Sequence, residues 1–162
     1  MKTTSYEGKP VFIGLDVHRE FFVASCTCEG VVVKRCRMPG IAEAVISRVS
    51  KEFSGASVRA AYEAGYSGFW LYRKLWAAGM DCLVVHPASI EVSSRDAVKT
   101  DKRDSLKIAQ QLSAGRLRGV RVPTEEQEQQ RLLTRTREQL MKKKRRVMVQ
   151  IWDAVTLFRA VP

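Results

Sequence analysis

Long apolar runs, histidines and paired cysteines are what this chain has least of. No stretch approaches the ~20 consecutive apolar residues of a membrane-spanning helix, and no apolar leader precedes Pro10 as a secretory signal would require. A cytoplasmic protein with no membrane partner is expected. There are two histidines and four cysteines. Cys26, Cys28, Cys36 and Cys82 fit no common zinc spacing, and no histidine pair completes one. Small buried thiols in a reducing compartment are expected instead. No glycine-rich phosphate loop follows Asp16 in "DVHREFF", which counts against an actin-like nucleotide-handling fold. Acids are also sparse: 17 against 28 Lys and Arg, a net charge of +11. The imbalance is local. Residues 1–94 hold 11 basic and 9 acidic side chains; residues 95–162 hold 17 and 8. A basic excess concentrated in one part of a chain points to a phosphate-rich partner, through counterion release and steering.

What is present reads as one domain of 1–122 followed by a helical segment of 123–162. Residues 11–17, "VFIGLDV", 21–28, "FFVASCTC", and 31–37, "VVVKRCR", are three strands of a meander, with Glu29-Gly30 turning the second into the third. Ile41, Val45, Ile46, Val49 and Phe53 have helical spacing. Residues 57–62 form a strand ending beside Glu63. A helix follows over about 68–78, with Gly79 as its C-cap. "CLVVH", 82–86, is a short buried strand stopped by Pro87, and a further helix opens near Thr100. Three antiparallel strands followed by strand–helix units predict an α/β fold: a mixed five-stranded sheet with flanking helices. That order matches the ribonuclease-H-like fold. Residues 124–158 contain neither Gly nor Pro. Leu133, Leu140, Val147 and Ala154 recur every seven residues, and Glu125, Glu126 and Glu128 complement the helix dipole at the start. One long C-terminal helix is predicted. Its thin apolar stripe, broken by "KKKRR", is expected to dock against a second copy or against a part of the chain beyond these residues. The final "FRAVP" carries no stop pattern, and a piece of a longer protein is expected.

Four acids attract attention. Asp16 closes an apolar strand, where an ionised group is costly unless paired or functional. Glu63 closes another. Asp101 and Asp104 stand at i and i+3 in a first helical turn, so they share a face. If the two strands are neighbours and the helix packs on their ends, four carboxylates converge. Two carboxylates 4 Å apart repel by about 4 kcal/mol at an effective dielectric of 20. Hard divalent cations with oxygen ligands, Mg2+ or Mn2+, relieve that repulsion, and such ions assist phosphoryl transfer. Each acid also has a plainer reading. Asp101 or Thr100 serves as an N-cap, Asp104 as a dipole-friendly acid, and Glu63 pairs with Arg59 or Arg73.

The blocks "IGLDVHREFF", "YEAGYSGFWLYRKLWAAGMDCLVVHP" and "VKTDKRDSLKIA" resemble motif blocks of the DEDD-motif insertion-sequence transposases, the one-ten family. That family includes bridge-RNA-guided recombinases and is related to the Piv-type DNA invertases. The resemblance covers nearly the whole chain; "LLTRTREQL" looks like the entry to the family's coiled-coil segment. It implies a RuvC-like domain whose Asp, Glu, Asp, Asp signature falls on Asp16, Glu63, Asp101 and Asp104 as catalytic and metal-holding residues. It implies DNA as substrate, a structured guide RNA as partner and action at the bacterial nucleoid; self-association is an expectation from the long C-terminal helix itself. It also implies a C-terminal domain bearing a catalytic serine. No serine here can take that role, so these 162 residues are expected not to recombine DNA alone. His86-Pro87 stands where the family often has Asn-Pro.

Lys99, Lys102 and Arg103 flank the acids and are expected phosphate contacts. Arg116, Arg118 and Arg121 form an extended basic strip. Lys142, Lys143, Lys144, Arg145 and Arg146 either grip RNA or DNA or are a solvated helix face. His18 is read as a loop imidazole, with a ligand or phosphate contact as the alternative. Gly65, Tyr66 and Gly68 either admit a nucleic-acid backbone, with Tyr66 stacking, or simply turn the chain. Phe69, Trp70, Tyr72 and Trp76 are expected in the core. The competing function is a nucleic-acid-binding module whose acids are structural.

Overall fold

The structure, a computed structural model, describes residues 5–65, 67–90 and 101–159; for Asp101, Lys102 and Arg159 only the backbone is described. The expectations for Tyr66, Lys99 and Thr100, and for the side chains of Asp101 and Lys102, lie outside the described residues. Two compact units are present, 1–121 and 122–162.

In the first unit, β1 (Pro10–Val17), β2 (Phe21–Cys28) and β3 (Val31–Pro39) form the meander. Glu29 and Gly30 both have positive φ, 50° and 77°, the backbone of a two-residue turn whose twist suits a hairpin. Helix α1 (Ala42–Glu52), β4 (Ser57–Glu63), α2 (Trp70–Ala77) and β5 (Asp81–Val85) follow. After a short 3-10 turn at Pro87–Ser89 comes α3 (Asp101–Ser113). The sheet order is β3-β2-β1-β4-β5. The meander is antiparallel, whereas β4 joins β1 and β5 joins β4 in parallel. This is the mixed five-stranded sheet of a ribonuclease-H-like fold.

Strand periodicity sends alternate residues to opposite faces. Ile13, Leu15, Ala24, Cys26, Cys36 and Met38 meet Val45, Val49 and Phe53 around α1. Tyr62, fully buried, lies on that side as well. Its hydroxyl donates to the Gly68 carbonyl at 3.3 Å and accepts from the Tyr72 amide at 3.2 Å. A buried phenol thereby finds two partners in the entry to α2. On the other face, Ile108, Leu112 and Leu117 pack with Ala61 and Val85. Gly14 is required there. A Cβ on it would strike the Ser105 carbonyl and stand 2.5 Å from the Ala109 amide nitrogen, so only glycine lets α3 lie against β1. Next to this contact the buried Ser25 and Ser105 hydroxyls bond each other at 2.9 Å.

The aromatic cluster of α2 departs from expectation. Leu71 and Leu75 are fully buried, but Trp70 is 39 % and Trp76 59 % exposed. The helix presents one face to the sheet, and the i, i+4 leucines fill it. Trp76 stacks on Tyr72 at the surface, ring centroids 5.8 Å apart. The thiols behave as expected: Cys26, Cys28, Cys36 and Cys82 are all free, and only Cys36 is not fully buried. Burial pushes the Cys26 and Cys82 thiols up to about 12.

The second unit is dominated by α4 (Glu125–Arg159), 35 residues long and so about 52 Å at 1.5 Å per residue. Its start is a capping box. The Gln127 amide donates to the Thr124 hydroxyl, and the Thr124 amide to the Gln127 side-chain oxygen, both at 3.2 Å. Leu133, Leu140, Val147 and Ile151 are all more than half exposed. No helix among the described residues is long and apolar enough to cross a membrane.

Candidate active site

The parallel pairing of β1 with β4 decides where the sheet acids stand. Leu15 registers with Tyr62, so the next residues, Asp16 and Glu63, are neighbours on adjacent strands at one sheet edge. Both are on the face that carries α3, because Gly14 and Ala61, two residues earlier, meet that helix. Strand spacing puts their backbones about 4.8 Å apart.

Asp16 is partly sheltered, its side chain 23 % exposed, and the His18 Nε2–H donates to its Oδ2 at 3.2 Å. The imidazole is fixed from the other side by stacking on Phe21, ring centroids 4.5 Å apart. His18 is the partly exposed loop imidazole that was expected, and it bonds Asp16 as well. Glu63 is exposed and makes no ion pair among the described residues. Arg59, one suggested partner, instead pairs with Asp81 at 2.6 Å. Asp104 is half-buried. The contact point between α3 and β1 falls one residue after Asp104 and two before Asp16. Asp101 opens the same helix, one turn before Ser105. Asp16 and Glu63 are thus brought side by side, and Asp104 is brought to the same face near their strand ends. Among the described residues no group of three His, Cys, Asp or Glu is close enough to hold a metal ion; the Asp101 side chain is not among them.

The basic residues divide. Gly119 bridges to Val85, and Val85 registers with Glu63. Arg118 therefore adjoins the row that contains the acids, and Arg121 follows along β5. Arg103 is exposed on α3, and Arg116 is exposed just past its end. Lys142 to Arg146 lie in the second unit and are exposed on α4. Arg37 escaped the sequence reading. It is exposed on β3 and registers with Val23, which registers with Asp16. The alternation Arg35, Arg37 in "VVVKRCR" was the available signal.

Comparison with known proteins now adds to this geometry. The sequence model of a family described as a transposase, the DEDD transposases of IS110 type, matches residues 13–159. The chain belongs to that family. A transposase for insertion sequence element IS1533 from Leptospira borgpetersenii is 31 % identical over 137 residues, covering 82 % of this chain and 39 % of that protein. A putative transposase, y4qE, from Sinorhizobium fredii is 45 % identical over 76 residues, covering 47 % of this chain and 20 % of that protein. The chain thus spans well under half the length of these two relatives.

Proposed function

We propose that this chain carries the acidic centre of a DNA transposase. Asp16, Glu63, Asp101 and Asp104 hold Mg2+ or Mn2+ at the end of the parallel strands. The observation that carries this reading is the adjacency of Asp16 and Glu63, on one face and at one edge of the central β1–β4 pair. The donors are carboxylate oxygens, the ligand class that hard divalent cations take. A cation bound there would offset the mutual repulsion of the acids and stabilise charge on a reacting phosphodiester. His18 keeps the Asp16 carboxylate oriented, as outer partners of metal ligands do. Lys99, Lys102 and Arg103 hold phosphates beside the acids, and the strip Arg116, Arg118 and Arg121 extends that hold along the sheet edge. The cluster Lys142 to Arg146 engages DNA or a structured guide RNA. The exposed apolar stripe of α4 supports pairing with a second copy of the chain.

Mn2+ titration calorimetry on the wild-type chain and Asp16→Asn tests the centre. Loss of at least tenfold in affinity with an unchanged melting curve is expected. Equal binding by the two proteins overturns the proposal. A second reading, a nucleic-acid-holding module with structural acids, is favoured by the hydrogen bond that His18 already makes to Asp16. It predicts that a chain with Asn or Gln at all four acidic positions binds nucleic acid with undiminished, salt-steep affinity and takes up no less Mn2+ than wild type.

A further inference from the structure

One row of paired residues crosses the sheet on the α3 side: Glu63, Asp16, Val23 and Arg37 on β4, β1, β2 and β3. Arg37 stands two strands from Asp16, about 10 Å between backbones at the usual strand spacing. Its side chain shares the α3 face because Cys36 and Met38, its neighbours in the strand, face α1. The guanidinium lies over the Phe21 ring, 3.6 Å from its centroid, and His18 stacks on that same ring while donating to Asp16. A continuous chain of contacts therefore links Arg37 to the Asp16 carboxylate. Of the three cations on β3, Lys34 faces α1 and pairs with Glu52 at 3.3 Å. Arg35 and Arg37, on the α3 side, are exposed and make no ion pair among the described residues.

We propose that Arg37, held over the Phe21 ring, contacts a backbone phosphate of the DNA strand that enters the Asp16–Glu63 edge, with Arg35 as a weaker second contact. This rests on the reading of that edge as the acidic centre. The geometry suits the task. Paired carboxylates repel a phosphodiester backbone, so an approaching strand needs cations within a few nucleotides of them. Ten ångströms is about three steps of duplex rise at about 3.4 Å each. A guanidinium already lying on an aromatic face loses little rotational freedom on binding and presents its N–H fork to phosphate oxygens. A flexible lysine would have to be ordered first. The row supplies a cation on the β3 side of the acids, opposite the side where Arg118 adjoins Val85 and Glu63.

Fluorescence anisotropy of a labelled single-stranded DNA, titrated with the 162-residue chain over a range of salt with Mg2+ present, tests this. Arg37→Ala is expected to weaken binding about four- to tenfold and to reduce the slope of log K against log salt by about 0.7, the loss of one phosphate contact. Arg37→Lys should recover part of the affinity. Phe21→Leu, which keeps the charge but removes the platform, should cost about twofold. Lys51→Ala, in α1 on the other side of the sheet, should change neither quantity. Mn2+ titration of Arg37→Ala should match wild type, which separates this inference from the acidic centre tested by Asp16→Asn. An unchanged salt slope in Arg37→Ala overturns the proposal. So does an equal loss in Lys51→Ala, which would mean net charge alone, or a loss confined to an RNA of the same sequence.

Discussion

Leu75 and Leu140 are the same side chain on similarly amphipathic helices, and they end up in opposite environments. Leu75 in α2 is fully buried against the sheet; Leu140 in α4 is 59 % exposed. The unit 1–121 covers its apolar residues with its own strands and helices, on both faces of one sheet. The unit 122–162 displays them along a helix. Most helical stability comes from covering an amphipathic face, so α4 depends on its capping box and on whatever covers its stripe. The first unit buries its apolar side chains itself; the second leaves its own exposed.

The comparison breaks most visibly at Gly14. Gly14→Val drives a branched side chain into the backbone of α3. Loss of cooperative unfolding of the sheet unit is expected, a destabilisation of more than about 4 kcal/mol, while helical circular dichroism from α4 persists. Paired leucine truncations sharpen it. Leu75→Ala should cost about 2–5 kcal/mol in urea denaturation. Leu140→Ala should change the stability of the sheet unit by less than about 0.5 kcal/mol, and should shift sedimentation toward smaller species if a second copy covers the stripe. Alkaline pH separates the units next. The Cys26 and Cys82 thiols are raised from 9.0 to about 12, first by burial, with Cys36 and Asp81 respectively adding to it. The unfolded chain therefore loses these protons near pH 9 while the folded chain keeps them. Stability is intact below pH 9 and falls as pH rises from about 9 toward 12, by up to ~1.4 kcal/mol per pH unit for each thiol. Urea midpoints at pH 8 and pH 10 should differ for wild type and differ less for Cys82→Ala; α4, which has no cysteine, should be insensitive. The effect at the cap is confined to α4. Thr124→Ala removes one half of the reciprocal pair with Gln127 and should cost α4 about 1 kcal/mol, seen as an earlier loss of helical signal on heating with the sheet unit unchanged.

Local pattern carried much of this fold. The apolar runs of β1 and β2, the Glu29-Gly30 turn and the Gly- and Pro-free stretch after Pro123 each act within a few residues, and each reads correctly from order alone. The tryptophans of α2 did not read correctly. Aromatic size argued for burial, but Trp70 and Trp76 lie off the stripe that Leu71 and Leu75 form, and a helix on a sheet buries only one stripe. Asp16 was conspicuous because an acid ending an apolar strand is expensive. Its bond to His18 was foreshadowed only by proximity in the chain. Arg37 was overlooked because its significance depends on two successive strand registers, Val23 with Asp16 and Arg37 with Val23, and nothing within β3 reveals either.

By itself the sequence determined which segments are strands and helices, where the charge is concentrated, and which acids end strands or open a helix. Those properties depend on periods of 2 and 3.6 residues and on single turns, and they are complete within short windows. Only the tertiary structure decided that β4 lies beside β1 in parallel, so that Asp16 and Glu63 become neighbours 47 positions apart in the chain. It alone decided that Gly14 seats α3 and that Arg37 joins the row of the acids. Strand order is chosen by the burial of both sheet faces at once, a condition on the whole unit that no local stretch of residues contains.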